Sequence, residues 1–166
     1  MKVLVALADD YCQNKVFQYL TSIKWESGTK VRILHVMDKA KGTTSDKRQR
    51  LEEGWKLLDD FAKRLRIAHP QLKVETEIHE GNPNRYIVRD SREWDADLLI
   101  IGAHGRRGLD KLFLGSVSEV VCKDCECSIV LVKLDDSIVD IQLEEADLPQ
   151  QLCSINLFKD ESEMAI

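Results

Sequence analysis

The chain alternates between two kinds of hydrophobic pattern. Val3 to Ala8 is a continuous apolar run, as expected of a central strand buried on both faces. Asp10 is placed to cap a helix, with Gln13 in the reciprocal capping-box position, and Cys12, Val16, Phe17, Leu20 and Ile23 follow at helical spacing. Gly28 breaks the chain before a second strand, Val31 to Met37. A polar loop from Gly42 to Ser45 leads into a long helix, with Leu51, Trp55, Leu58, Ala62 and Leu65 along its inner face and Pro70 as its stop. Leu72, Val74, Thr76 and Ile78 alternate with charged and polar residues, the mark of a half-exposed edge strand. In Glu80-Gly81-Asn82-Pro83 the asparagine is a cap and the proline a first helical residue, starting a helix that runs to about Trp94. Leu98 to Ala103 is a second fully apolar strand. A helix begins near Ser116, and Ile129 to Lys133 is the last strand.

Strand and helix alternate throughout, which predicts an α/β domain with a parallel sheet covered by helices. Right-handed crossovers make five strands and four helices a doubly wound sheet, with ligands beyond the carboxyl ends of the strands at the switch in strand order. The length of 166 residues suits one such domain over residues 1–133 followed by a tail, 134–166.

Charge sharpens that division. Residues 134–166 carry nine acids against Lys159; taking that −8 from the total of −5 leaves residues 1–133 at about +3, too small an excess to predict nucleic-acid binding. No apolar run approaches the roughly 20 residues that span a bilayer. Met1 to Val5 is too short for a signal peptide, so a cytoplasmic location is expected. The five cysteines (Cys12, Cys122, Cys125, Cys127 and Cys153) form no framework pattern, and Cys122-x-x-Cys125-x-Cys127 reads as small buried thiols rather than a metal site.

The candidate chemistry lies in the stretch from Ile100 to Ser118. Gly102 ends a buried strand, Gly105 follows, and Gly115-Ser116 opens a helix. Glycines at a strand end permit positive φ and let main-chain N–H groups approach phosphate oxygens. The free N–H groups of the next helix make an anion site reinforced by the helix dipole. Ser116 and Ser118 add hydroxyls, and Arg106, Arg107 and Lys111 add positive charge. The loop between strand and helix is also long, as functional loops often are.

The spacing Gly102-x-x-Gly105, nine residues, Gly115-Ser116 resembles the G-2x-G-9x-G-(S/T) motif of the ATP-binding universal stress proteins. Residues 96–109 resemble that family's fourth strand and loop, Leu114 to Glu119 its helix start, and Leu34-His35-Val36-Met37-Asp38 its second strand. The resemblance implies a Rossmann-like or flavodoxin-like sheet ordered 3-2-1-4-5. It also implies an adenine nucleotide (ATP, or ADP or AMP, with or without Mg2+) held by Val36, Gly102, Gly105, Arg106, Gly115, Ser116, Val117 and Ser118. One departure stands out. Where the family usually ends its first strand with an aspartate, this chain has Ala8, followed by Asp9 and Asp10. Either Asp9 makes that contact through a shifted backbone, or the contact is missing.

A nucleotide-binding protein with a regulatory or stress-response role is therefore expected. It is not an enzyme, or at most a slow ATPase, since the loop has no Walker lysine–serine pair and no obvious water-activating carboxylate. A ligand-free scaffold of the same fold is the alternative. A phosphorylated receiver domain is disfavoured, because the third strand ends in His79-Glu80-Gly81 and offers no nucleophilic aspartate. The resemblance implies a homodimer through the strand Ile129 to Lys133, an apolar edge suited to pairing. The acidic tail, with Leu152, Ile155, Leu157 and Phe158, is suited to docking on a protein partner.

Overall fold

The computed structural model describes residues 1–8, 10–37, 39, 44–103 and 116–133, apart from the side chains at 10–12, 44 and 103. All of these lie in the unit Met1–Asp136. Asp9, the loop 104–115 and the acidic stretch 134–166 are outside the described residues, as are the expected cap at Asp10 and the packing of Cys12.

The elements run β1 (Lys2–Leu7), α1 (Asp10–Ser22), β2 (Lys30–Met37), α2 (Thr44–Ala68), β3 (Lys73–Glu80), α3 (Pro83–Glu93), β4 (Leu98–Ala103), α4 (Ser116–Asp124) and β5 (Ser128–Lys133). Every strand pairing is parallel, in the order β3-β2-β1-β4-β5. The sheet is the expected one. β1 sits at its middle, with Val5 opposite Ile33 on one side and Ile100 on the other, which is why its sequence is apolar without alternation. β3 is an edge strand, as its alternation predicts.

Period-two side-chain placement divides the core into two layers. Val3, Val5 and Leu7 of β1 pack with Val16 and Leu20 of α1 and with α2, while Leu4 and Ala6 pack with Ile87 and Val88 of α3 and Val121 of α4. Phe17 and Ile23 join the first layer as half-buried residues. Two local devices fix the passage from α1 to β2. Trp25 is buried and its indole N–H donates to the Leu20 carbonyl at 2.8 Å. Gly28 takes φ +83°, a conformation that L side chains rarely adopt.

The inner face of α2 departs from the expected stripe. Leu58, Ala62 and Leu65 are buried, but Leu51 and Trp55 are 36% and 44% exposed. The buried line instead runs through Gly54, Leu58, Phe61, Ala62 and Leu65. At Gly54 the helix backbone comes so near β2 and β3 that a Cβ would lie 2.7 Å from Ile78 Cδ1 and 3.1 Å from His35 Cδ2. Close approach at a residue without a side chain turns its large neighbours outward.

A polar network replaces apolar packing where α3 covers β2 and β3. Arg32 on β2 reaches Glu75 Oε1 at 2.8 Å, Glu77 Oε2 at 3.2 Å and Asp90 Oδ1 at 3.4 Å, and its guanidinium lies 4.5 Å above the centre of the Trp94 ring. Burial pushes the Asp90 carboxyl above the usual carboxylate range; Glu77 pushes the same way, and Arg32 pulls it back. Removing Arg32 strands that buried charge. Arg32→Met is accordingly expected to cost about 2 kcal/mol of stability at neutral pH, read as a lower urea midpoint at an unchanged m value.

Candidate functional site

β1 and β4 are neighbours, but the chain leaves β1 for α1 on one face of the sheet and β4 for α4 on the other. The two connections part at this point and leave a crevice at the carboxyl edge. Gly102 stands one residue beyond the last β1–β4 pair, Ala6 with Ile101, and is paired with Val132 of β5. Ala8 follows directly on β1, is exposed, and offers no side-chain acceptor. Val36, near the end of β2, is half-buried against the α3–α4 core layer. His35 faces the other layer and ties β2 to β1, with Nδ1 2.9 Å from the Leu7 carbonyl oxygen.

The sequence placed a helix start at Ser116, and α4 begins there. Ser116 is exposed, Val117 is half-buried against the same core as Val36, and Ser118 is 4% exposed. Gly105, Arg106, Gly115 and Asp9 lie outside the described residues.

Ser116 and Val117 line a hollow of about 930 Å3 whose other walls come from the β3–α3 turn and the first turns of α3. Its volume falls within the range of small-molecule sites, about 300–1,000 Å3. Two helix N-termini therefore border one space. The turn is built by Gly81, at φ +151°, where a Cβ would meet the Tyr86 ring at 2.5 Å. Asn82 is the cap of α3, its Oδ1 accepting from the Asn84 N–H at 2.9 Å, with Pro83 next in line. Asn82→Ala is expected to lower stability by about 1 kcal/mol, visible as a drop in melting temperature and, since the turn lines the hollow, as weaker retention of any ligand there.

Basic side chains dominate this wall. Lys39, Arg85 and Arg89 line the hollow, against Glu80. The Glu80 carboxylate is already paired with Lys47, which holds its pKa below the usual carboxylate range. Arg89 lies 4.4 Å above the centre of the Tyr86 ring. The hollow thus favours an anion. Sequence reasoning missed Lys39, Arg85, Tyr86 and Arg89, because scattered basic and aromatic residues at a helix start look like a solvated face until the fold sets them opposite Ser116.

The cysteine expectation needs correction. Cys122 is exposed, while Cys125 and Cys127 are half-buried. In the nine-residue α4 the buried positions go to Ser118 and Val121, which turns Cys122 outward. Burial pushes the Cys125 and Cys127 thiols up, so these two stay protonated, although the Ser91 hydroxyl, 3.4 Å from Cys125 Sγ, pulls Cys125 partly back.

The strand order defines a doubly wound α/β domain, and a hollow with basic side chains lies between the β3–α3 turn and the start of α4. The universal stress protein family model matches residues 1–133, and the chain belongs to that family. It is 39% identical over 62 residues to universal stress protein Sll1388 of Synechocystis, a stretch covering 37% of this chain and 40% of that protein, so the match spans under half of that relative's length. Its fold is similar to the solved structure of protein MJ0577 of Methanocaldococcus jannaschii, with a TM-score of 0.66 and 25% identity over 81% of this chain and 97% of that one. It also resembles an Arabidopsis thaliana universal stress family protein solved with AMP bound, at a TM-score of 0.61 and 22% identity over 82% and 93% of the two chains. No helix among the described residues is long and apolar enough to cross a membrane.

Proposed function

We propose that this chain binds an adenine nucleotide, ATP first among them, at the carboxyl edge of its sheet, and acts as a nucleotide-dependent regulator in a stress response. The observation that carries this reading is the start of α4 at Ser116, opening onto a basic hollow beside the β1–β4 crevice. Solved proteins of the same fold that hold AMP or cAMP support it.

In this reading the Val36 backbone meets the adenine. Gly102 and Gly105 let the main chain approach the ribose and phosphates, and Gly115, Ser116, Val117 and Ser118 supply amide and hydroxyl donors. Arg106 adds charge, and Asp9 takes the acidic role that Ala8 cannot fill. The protein works by binding, with hydrolysis at most slow. β5 is the pairing surface of a homodimer, and the tail 134–166 docks a protein partner.

Calorimetric titration of the full chain with ATP, ADP and AMP, with and without Mg2+, tests the proposal. Saturable binding and a rise in melting temperature with ligand concentration are expected. The second reading, a scaffold that keeps the fold without the ligand, is favoured by Ala8; no heat and no thermal shift at millimolar nucleotide would establish it and overturn the first.

A further inference from the structure

We propose that Glu77, His79 and Asp90 form a binding site for a divalent transition-metal ion, Zn2+ by its ligand chemistry, between β3 and α3. One ligand atom from each residue lies within 4.8 Å of the others. Glu77 and His79 are two apart on β3 and so share the face that α3 covers, and Asp90 comes from α3.

The partners of the individual atoms argue for an ion. Each carboxylate spends one oxygen on Arg32: Glu77 Oε2 at 3.2 Å and Asp90 Oδ1 at 3.4 Å. That leaves Glu77 Oε1 and Asp90 Oδ2. The Asp90 side chain is 5% exposed, and its Oδ2 is buried with no hydrogen-bond partner among the described residues. His79 Nε2 is buried in the same condition; it lies 3.1 Å from Glu77 Oε1, but not in line for a hydrogen bond. Two buried polar atoms without a hydrogen bond among the described residues are costly in a folded protein. A shared ion would satisfy both atoms at once.

The donor set selects the metal. One imidazole nitrogen with two carboxylate oxygens suits Zn2+ and Co2+ better than Mg2+ or Ca2+, which favour oxygen alone. Bonds of about 2.0–2.1 Å put neighbouring tetrahedral ligands about 3.3 Å apart, so one atom of each residue, now within 4.8 Å of the others, would close by at most about 1.5 Å. Three protein ligands leave a fourth position open. The surrounding groups act as orienters: Arg32 holds the outer oxygens, and Tyr86 stacks on the His79 ring at 4.7 Å between centres and 18° between planes. Arg32 offsets one carboxylate charge, leaving net attraction for a dication. The site stands whether or not the neighbouring hollow takes a nucleotide.

The test uses the full chain, stripped with chelator and titrated with Zn2+ by calorimetry and with Co2+ by visible absorption, in wild type and in a variant carrying Cys122→Ser, Cys125→Ser and Cys127→Ser. One equivalent is expected in both, without thiolate-to-cobalt charge-transfer absorption and with strong paramagnetic shifts of the His79 ring protons. His79→Ala should weaken binding at least about a hundredfold, and Asp90→Asn at least about tenfold, with unchanged circular dichroism. Should either variant fail to fold, the His79 ring shifts in the wild type decide alone. Saturable binding that survives His79→Ala, is lost in the cysteine variant, or is absent at millimolar metal would overturn the proposal.

Discussion

Phe61→Ala should destabilise the domain by about 3–5 kcal/mol, the usual cost of emptying a fully buried aromatic position. Phe61 is 0% exposed and stands in the core layer between α1, α2 and the sheet, with Val5, Ile33, Leu58 and Leu65. Its ring meets Phe17 edge-on, 5.8 Å between centres and 87° between planes, a geometry that adds to the burial term. Domains of this kind have about 5–15 kcal/mol of stability in all, so the variant should lose a third or more of it. Urea unfolding reads this directly, as a lower midpoint with the slope unchanged. Trp55→Ala is the matched control: it removes a larger ring from the same helix, but one 44% exposed, and is expected to cost under about 1 kcal/mol. If Trp55→Ala were the more damaging of the two, the inner face of α2 would be the one its sequence suggests rather than the one described.

The second large effect is on binding. Ser116→Asp should weaken nucleotide affinity about 30- to 150-fold while leaving the protein as stable as before or more so. Ser116 is the exposed first residue of α4. A carboxylate there suits the positive end of the helix dipole and caps the orphan N–H groups, so folding gains. The same carboxylate stands where phosphate is proposed to lie, and like charges a few ångströms apart at a protein surface cost about 2–3 kcal/mol. The opposite signs of the two effects make the test sharp. Unfolding would lower stability and affinity together, whereas displacement of an anion lowers affinity alone. Titration calorimetry and a thermal melt on the same sample separate them. Unchanged affinity in Ser116→Asp would remove α4 from the site.

What could be read from the chain differs by element for physical reasons. β1 and β4 declare themselves because buried parallel strands must be apolar on both faces, and Asn82-Pro83 declares a helix start because each residue does one job there. The α2 stripe misled because Leu51, Trp55 and Leu58 keep helical spacing, whereas the contact is made by Gly54, and a missing side chain leaves no hydrophobic signal. The candidate site was legible only where a local signal marks it. Gly102 and Ser116 to Ser118 follow from a strand end and a helix start and Val36 from the family resemblance, and the structure describes each of them at the carboxyl edge or in α4. The basic wall was not legible, since Lys39, Arg85 and Arg89 come together only when α3 folds beside α4. The Arg32 network was hidden more deeply. The alternation of Glu75, Glu77 and His79 reads as a solvent-facing edge, and Asp90 lies 58 positions from Arg32. Only the register of β2 against β3, with α3 laid over them, brings those charges together.

The most direct test of the nucleotide site is a crystal structure of the full chain grown with ATP. The adenine edge is expected against the Val36 backbone and phosphate oxygens about 2.7–3.2 Å from the amide and hydroxyl of Ser116, with Gly102 alongside. A nucleotide bound elsewhere, or a carboxyl edge filled by the chain's own side chains at millimolar ATP, would contradict it.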